Sequence, residues 1–187
     1  MSRAELDARS NRRARQLAAL GAAEQDVVTV ALPNGFEFYE TAFAIWKLGA
    51  TLNPVSARLP AAEIRAIIEL ACPSLVVGAA PDEGSSWNYL AADTEPGASL
   101  SDGPLPTKVS KAWKIMTSGG STGRPKLIVN NRPGLFDPMV PMLGLNADDI
   151  MLNPGPLYHN SPLATTMACL FTGGHVGDGP VRCGTRA

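Results

Sequence analysis

The chain has 187 residues, 45% of them hydrophobic and 18% charged, and its 16 Lys and Arg against 17 Asp and Glu leave a net charge of −1. That balance belongs to a globular protein with a core of its own and excludes a disordered chain; it also removes the global positive field that would draw in nucleic acid or an anionic membrane. Cys72, Cys169 and Cys183 show no CxxC or CxH spacing, which argues against a disulfide framework and a zinc site and reads as reduced thiols.

The opening MSRAELDARSNRR lacks the apolar centre of a signal peptide, and no run approaches the ~18 apolar residues of a transmembrane helix, so a cytoplasmic setting is expected. Ser2 followed by Glu5 makes a capping box, and Leu6, Leu17 and Leu20 recur at helical spacing before Gly21, predicting a helix over residues 3–20. The basic stretch 9–15 falls on that helix and reads as a solvated face.

VVTVAL (27–32) is a β-branched run closed by the turn signal Pro33-Asn34-Gly35, and it predicts a buried strand. The next helix, FEFYETAFAIWKLG, places Phe36, Tyr39, Phe43 and Trp46 near one face, a stripe that reads as core rather than as an acyl-binding surface. ATLNPV predicts a second strand. Pro60 opens a third helix through AAEIRAIIELA that stops before Cys72-Pro73, and a third strand follows over 75–77. Cys72 and Cys169, set among apolar neighbours, read as small buried hydrophobes. Strands and helices in this alternation predict an α/β fold, with parallel strands and flanking helices.

From 79 to 111 the sequence turns Gly-, Pro-, Ser- and Asp-rich, predicting a loop or linker in poor order. WKIMT and LIVN are then two strand-like runs on either side of a glycine-rich loop, a hairpin-like arrangement. The loop, Thr117-Ser118-Gly119-Gly120-Ser121-Thr122-Gly123-Arg124-Pro125-Lys126, concentrates glycines, hydroxyls and a lysine. Glycines let successive amides turn inward as an anion-binding nest, hydroxyls add neutral donors, and a lysine supplies a point charge. A flexible Gly/Ser linker has a similar composition, but it needs neither Pro125-Lys126 nor an apolar strand on each side. The loop is not a conventional P-loop, which has G-x-x-x-x-G-K-[ST] leading into a helix, and it has no dinucleotide fingerprint.

TSGGSTGRPK resembles the phosphate-binding signature of the adenylate-forming superfamily, which includes acyl-CoA synthetases, luciferases and peptide-synthetase adenylation domains. LPNGFEFYETAFAIWKLGATLNPVSARLPAAEIRAIIELACPSLVV upstream and PGPLYHNSPLATTMACLFTGG downstream are similar to the same superfamily in the same order. The resemblance covers nearly the whole chain and implies part of the N-terminal domain of that fold, with the glycine-rich phosphate loop between two strands. It divides the chain into an α/β portion (1–78), a loop or linker (79–111), a phosphate-loop and acyl-pocket-bordering portion (112–175) and an atypical tail (176–187). Gly119-Gly120 is similar to ligases for bulky ring-containing acids. Leu127 departs from the glycine that relatives carry after the Pro-Lys pair.

What the resemblance implies is an ATP-dependent acid–CoA ligase for a fatty or bulky ring-containing acid, with ATP, Mg²⁺ and coenzyme A. Thr117, Ser118, Gly119, Gly120, Ser121, Thr122, Gly123 and Lys126 would hold the phosphates. Lys126, Thr122 and His159 would stand nearest the chemistry, and Tyr158, His159 and Asn160 would border the acid. A loop-end histidine is the competing reading of His159, and packing and helix capping those of Tyr158 and Asn160; His175 reads as incidental. No residue is assigned to a metal.

The superfamily's full chains are much longer. Both ends of this one look cut, and the tail after Gly173-Gly174 lacks the apolar strand the resemblance leads one to expect. The expectation is therefore a truncated form inactive alone, against the alternatives of a non-catalytic ATP- or acyl-binding protein and a decayed gene product. A second copy or a partner chain covering exposed apolar surface is expected as well.

Overall fold

The computed structural model describes residues 1–118, 125–137, 140 and 143–178. The chain divides into two compact units, Met1–Leu135 and Phe136–Ala187. The first begins with α1 (Arg3–Ala19), whose capping box forms as the sequence predicts: Ser2 Oγ accepts from Glu5 N at 3.2 Å and Glu5 Oε2 accepts from Ser2 N at 2.7 Å. β1 (Val27–Val30), α2 (Phe36–Lys47), β2 (Thr51–Pro54), α3 (Ala61–Ala71) and β3 (Leu75–Val77) follow in the predicted order, and β4 (Tyr89–Leu90) joins the edge.

These strands make one parallel sheet in the order β2-β1-β3-β4, with Thr29 flanked by Asn53 and Val76. From β1 the chain crosses over once in each direction, so right-handed connections place α2 and α3 on opposite faces. A parallel sheet covered on both faces needs strands that are apolar throughout. Val28, Val30, Leu52, Leu75 and Val76 are accordingly buried, and each such side chain contributes roughly 1.5–3 kcal/mol. Beyond β1, α2 packs on α1, which delivers Ala14 and Leu17 to the core. The chain must also pass close to itself at Gly78 (φ +89°), where a Cβ would strike the carbonyl oxygen of Ala31; only glycine fits there.

β5 (Ile115–Ser118) and β6 (Lys126–Val129) form the expected hairpin, antiparallel from Ile115 opposite Val129 to Ser118 opposite Lys126. In the second unit, β7 (Ile150–Asn153), α4 (Asn160–Phe171) and β8 (His175–Asp178) make a βαβ turn with parallel strands and a core that includes Leu163 and Met167. A strand, β8, does follow Gly173-Gly174, although it is not the apolar one the resemblance leads one to expect. Its residues are mostly not apolar, but pairing with β7 draws on main-chain groups and does not require them to be. On β7, Ile150 and Leu152 are exposed.

The arginines of α1 are not a solvated face. Glu40 of α2 is fully buried and accepts from Arg9 Nε at 2.6 Å and from Arg13 Nε at 2.7 Å, and Arg13 is itself only 3% exposed. Other donors turn to main-chain carbonyls, Arg13 Nη1 to Thr94 at 2.7 Å, Arg12 Nε to Leu100 at 3.2 Å, and Arg15 Nη1 to Ser101 and Gly103 at 3.0 Å, while Arg9 Nη2 and Arg12 Nη2 pair with the carboxylates of Glu95 and Asp102. Residues 79–111 are irregular apart from β4, yet these bonds order the stretch in which the sequence predicts poor order. Irregular backbone has to satisfy its carbonyls somewhere, and here the arginines do so.

Two smaller expectations also fail. Cys72 is exposed, because it is the left-handed C-cap of α3 (φ 44°, ψ 53°) and its thiol donates to Glu69 O at 3.1 Å. Phe36 is 58% exposed at the first position of α2, while Phe38 takes the core place beside Tyr39. Among the described residues no helix is long and apolar enough to cross a membrane.

Replacing Glu40 by Ala leaves the Arg13 guanidinium buried without its anion, and a loss of about 3–5 kcal/mol is expected in urea melts. Glu40→Leu combined with Arg13→Met should regain most of that loss; a double variant as unstable as the single one would show that the charge is not the cause.

Candidate phosphate-binding site

The site is built outward from β2. Leu52 bridges Lys114 in the parallel sense, and three side chains grip the main chain that leads into β5. Thr51 Oγ1 donates to Ala112 O at 2.8 Å, Trp46 Nε1 to Trp113 O at 2.7 Å, and Asn53 Nδ2 to Ile115 O at 3.1 Å. β5 therefore runs in the direction of β2 and ends, at Ser118, on the edge where the parallel strands have their carboxyl ends. In open α/β sheets that edge is where ligands bind.

Ser118 and Lys126 are Cα partners at the loop end of the hairpin, so their side chains share one face, and Thr117 lies on the other with Leu127. The Thr117 hydroxyl oxygen is buried and has no hydrogen-bond partner among the described residues. Lys126 is exposed. Gly119, Gly120, Ser121, Thr122 and Gly123 lie outside the described residues. Leu127, at the position that departs from the superfamily pattern, packs against the buried cluster of Ala31, Val55 and Ile67 and so fastens β6 to the sheet.

Lys114 escapes sequence reading, since a lysine before a strand ordinarily lies at the surface. It is 2% exposed, with Nζ 4.2 Å from the centre of the Trp113 ring. Burial pushes its pKa down to about 8. A cavity of about 220 Å³ is likewise invisible in the sequence. It opens at the carboxyl ends of β1 and β3, where the strand order reverses, and Ala31, Ile64, Gly78, Asp82 and Trp87 help to line it. Asp82 is paired with Arg65 and accepts from Ser85 Oγ at 2.6 Å, and both partners hold its carboxyl below the usual range, Arg65 the more strongly.

In the second unit, Tyr158, His159 and Asn160 come together at the start of α4. The Tyr158 and His159 rings lie 4.6 Å apart at 51°. His159 occupies the N-cap with no side-chain capping bond, and Asn160, expected to cap the helix, is instead its first residue. His175 sits on β8, where its carbonyl accepts from the Cys169 thiol at 3.3 Å. Among the described residues no group of three or more His, Cys, Asp or Glu could hold a metal ion.

The sequence pattern of the AMP-binding enzyme family matches residues 1–178. The chain belongs to that family. It is 31% identical over 92% of its length to the 2,3-dihydroxybenzoate-AMP ligase of Bacillus subtilis, spanning 37% of that protein. To the long-chain-fatty-acid–CoA ligase FadD13 of Mycobacterium tuberculosis it is 26% identical over 92%, spanning 38%. Among solved structures, the inhibitor-bound N-terminal domain of FACL13 from Mycobacterium tuberculosis superposes with a TM-score of 0.80 at 25% identity, covering 96% of this chain and 50% of that one. The chain thus spans less than two fifths of these two curated relatives.

Lys114 carries a pH dependence with a definite sign. Its folded pKa of about 8 lies below the ordinary 10.5, so between those values the unfolded chain binds more protons and stability rises with pH. Below pH 8 the cost of burying the ammonium is fully present. Lys114→Met should therefore gain stability relative to the parent near neutrality and lose that advantage as the pH rises towards 10.5, as urea melts across the range would record.

Proposed function

We propose that this member of the AMP-binding enzyme family is the phosphate-gripping part of an ATP-dependent acid–CoA ligase, acting on a fatty or bulky ring-containing acid. The supporting observation is that Ser118 and Lys126 share one face at the loop end of a hairpin on the carboxyl edge of a parallel sheet, while on the other face the Thr117 hydroxyl is buried and unpartnered among the described residues. A triphosphate offers only acceptors, and a buried donor without a partner gains most from one. In this reading Ser121 and Thr122 add hydroxyls, Gly119, Gly120 and Gly123 let main-chain amides approach, and Lys126 supplies the charge.

The reaction is carboxylate adenylation followed by thioester formation. A carboxylate oxygen attacks the α-phosphorus, the bond to pyrophosphate breaks, and the CoA thiolate then displaces AMP from the acyl carbon. Negative charge builds on the departing pyrophosphate, and donors already in place stabilise it without reorganising. Mg²⁺ bound together with the nucleotide would neutralise part of that charge. His159, with Tyr158 and Asn160 beside it, is assigned to the acid carboxylate, where an imidazole can steady charge near neutral pH. A cytoplasmic setting accompanies this reading, in keeping with the free thiols of Cys72 and Cys169.

Likeness to a fatty-acid–CoA ligase favours CoA as the acceptor. A second reading, an acid–AMP ligase that passes its adenylate to another acceptor, draws on the higher identity to the dihydroxybenzoate-AMP ligase.

Calorimetry with MgATP tests the grip. The chain should bind, Lys126→Ala should weaken binding about tenfold or more, as loss of a charge-assisted contact of about 1.5–3 kcal/mol demands, and no acid-dependent ATP–pyrophosphate exchange should accompany binding. No heat with the parent chain overturns the phosphate grip, and exchange by the parent chain overturns the claim that it needs further segments.

A further inference from the structure

Asn53 is fully buried in β2, and its side chain reaches inside β5. Its Oδ1 accepts from Thr29 Oγ1 at 2.9 Å, and its Nδ2 donates to Ile115 O at 3.1 Å. The amide can face only one way, because the Ile115 carbonyl is acceptor-only and must meet the NH₂ group, while the Thr29 hydroxyl can serve either end. Thr29, Asn53 and Ile115 thus form a relay across β1, β2 and β5.

The relay stands where the sheet's own ladder lapses. Beyond the single bridge from Leu52 to Lys114, no further main-chain pairing joins β2 to β5 among the described residues. Trp46 and Thr51 hold carbonyls that precede β5, at Trp113 and Ala112, whereas Asn53 holds the first residue of the strand itself. Apolar packing would press β5 against the sheet without fixing its position along the strand direction. A directional bond to one carbonyl does fix it. From Ile115 to Ser118 the strand runs on for roughly 10 Å, so a slip at the carbonyl is carried straight to the start of the loop.

We propose that Asn53 is a positioning residue for the nucleotide site: through Ile115 it sets where Thr117 and Ser118 stand, without touching nucleotide. The inference rests on the reading that those residues grip a triphosphate.

Two variants test it, each confirmed as folded by circular dichroism in the cold. Asn53→Leu removes the donor and should weaken MgATP binding about tenfold, since a displacement of about 1 Å at a binding group is costly. Asn53→Asp is nearly isosteric and faces a carboxylate towards a carbonyl, so it should bind weakly at about pH 8. Burial raises the pKa of such a carboxyl, and near pH 5.5 its protonated form can donate to Ile115 O as the amide did; affinity should return to within about threefold of the parent at the same pH. A general loss of stability would not be reversed in this way.

Hydrogen exchange of the peptide covering residues 114–118 supplies a readout independent of nucleotide, with faster exchange expected in Asn53→Leu and, at the higher pH only, in Asn53→Asp. Variants that stay folded and match the parent in affinity and exchange overturn the proposal, as does an Asn53→Asp variant that never recovers. Should the parent chain itself fail to bind MgATP, the phosphate reading falls and takes the nucleotide half of the inference with it, while the exchange data still decide whether Asn53 holds β5.

Discussion

A parallel sheet collects the carboxyl ends of its strands on one edge, and the direction of β5 beside β2 decides that its loop leaves from that edge. Had β5 run antiparallel to β2, the same ten residues would open at the amino ends, away from Gly78 and the cavity at the strand-order reversal. Direction here rests on little regular pairing. It is maintained by donors on Trp46, Thr51 and Asn53, each committed to a carbonyl in the segment 112–115, and by Leu127, which fixes the returning strand to the core.

The same device recurs at larger scale on α1. Carbonyls of irregular chain have no ladder to join, and Arg12, Arg13 and Arg15 take up those at 94, 100, 101 and 103. From there to β5, side chains of Gln25, Thr51 and Trp46 continue the series, Gln25 Nε2 donating to Val109 O at 2.8 Å. Buried charge such as Arg13 with Glu40 is a weak source of stability, because desolvation offsets the attraction. What it contributes is placement: Glu40 holds Arg9 and Arg13 in the orientation from which their other donors reach the loop.

Regular elements in the first unit were legible because they are written locally. The Ser2–Glu5 capping box, the β-branched run at 27–30 and the turn at 33–35 each act over a few residues, and the strand and helix alternation then fixes a parallel sheet. The hairpin at 115–129 was legible for the same reason. Long-range pairings left no such trace. Nothing near Arg13 announces Glu40, and nothing near Lys114 announces that it is buried. Phe36 and Phe38 are equally apolar, and only the path of the chain into α2 decides which one is buried. β8 was missed for a different reason: main-chain bonds to β7 can make a strand of His-Val-Gly-Asp, which no pattern of side chains would suggest.

The geometry also bears on what kind of phosphate site is proposed. A loop that leads into a helix adds the positive end of the helix dipole to its amides. Lys126 instead opens an extended strand, which has almost no net dipole, so charge complementarity must come from a side chain. Directly opposite, Ser118 fixes where that side chain begins, since paired Cα atoms in an antiparallel ladder stand about 4.5–5.5 Å apart. A lysine on a flexible stem can follow a pyrophosphate as it departs, whereas a helix end cannot. On this argument the hairpin suits a reaction in which the gripped group leaves, and the rigidity it lacks at the lysine is made up at the base of β5, where the carbonyl of Ile115 is tied to Asn53.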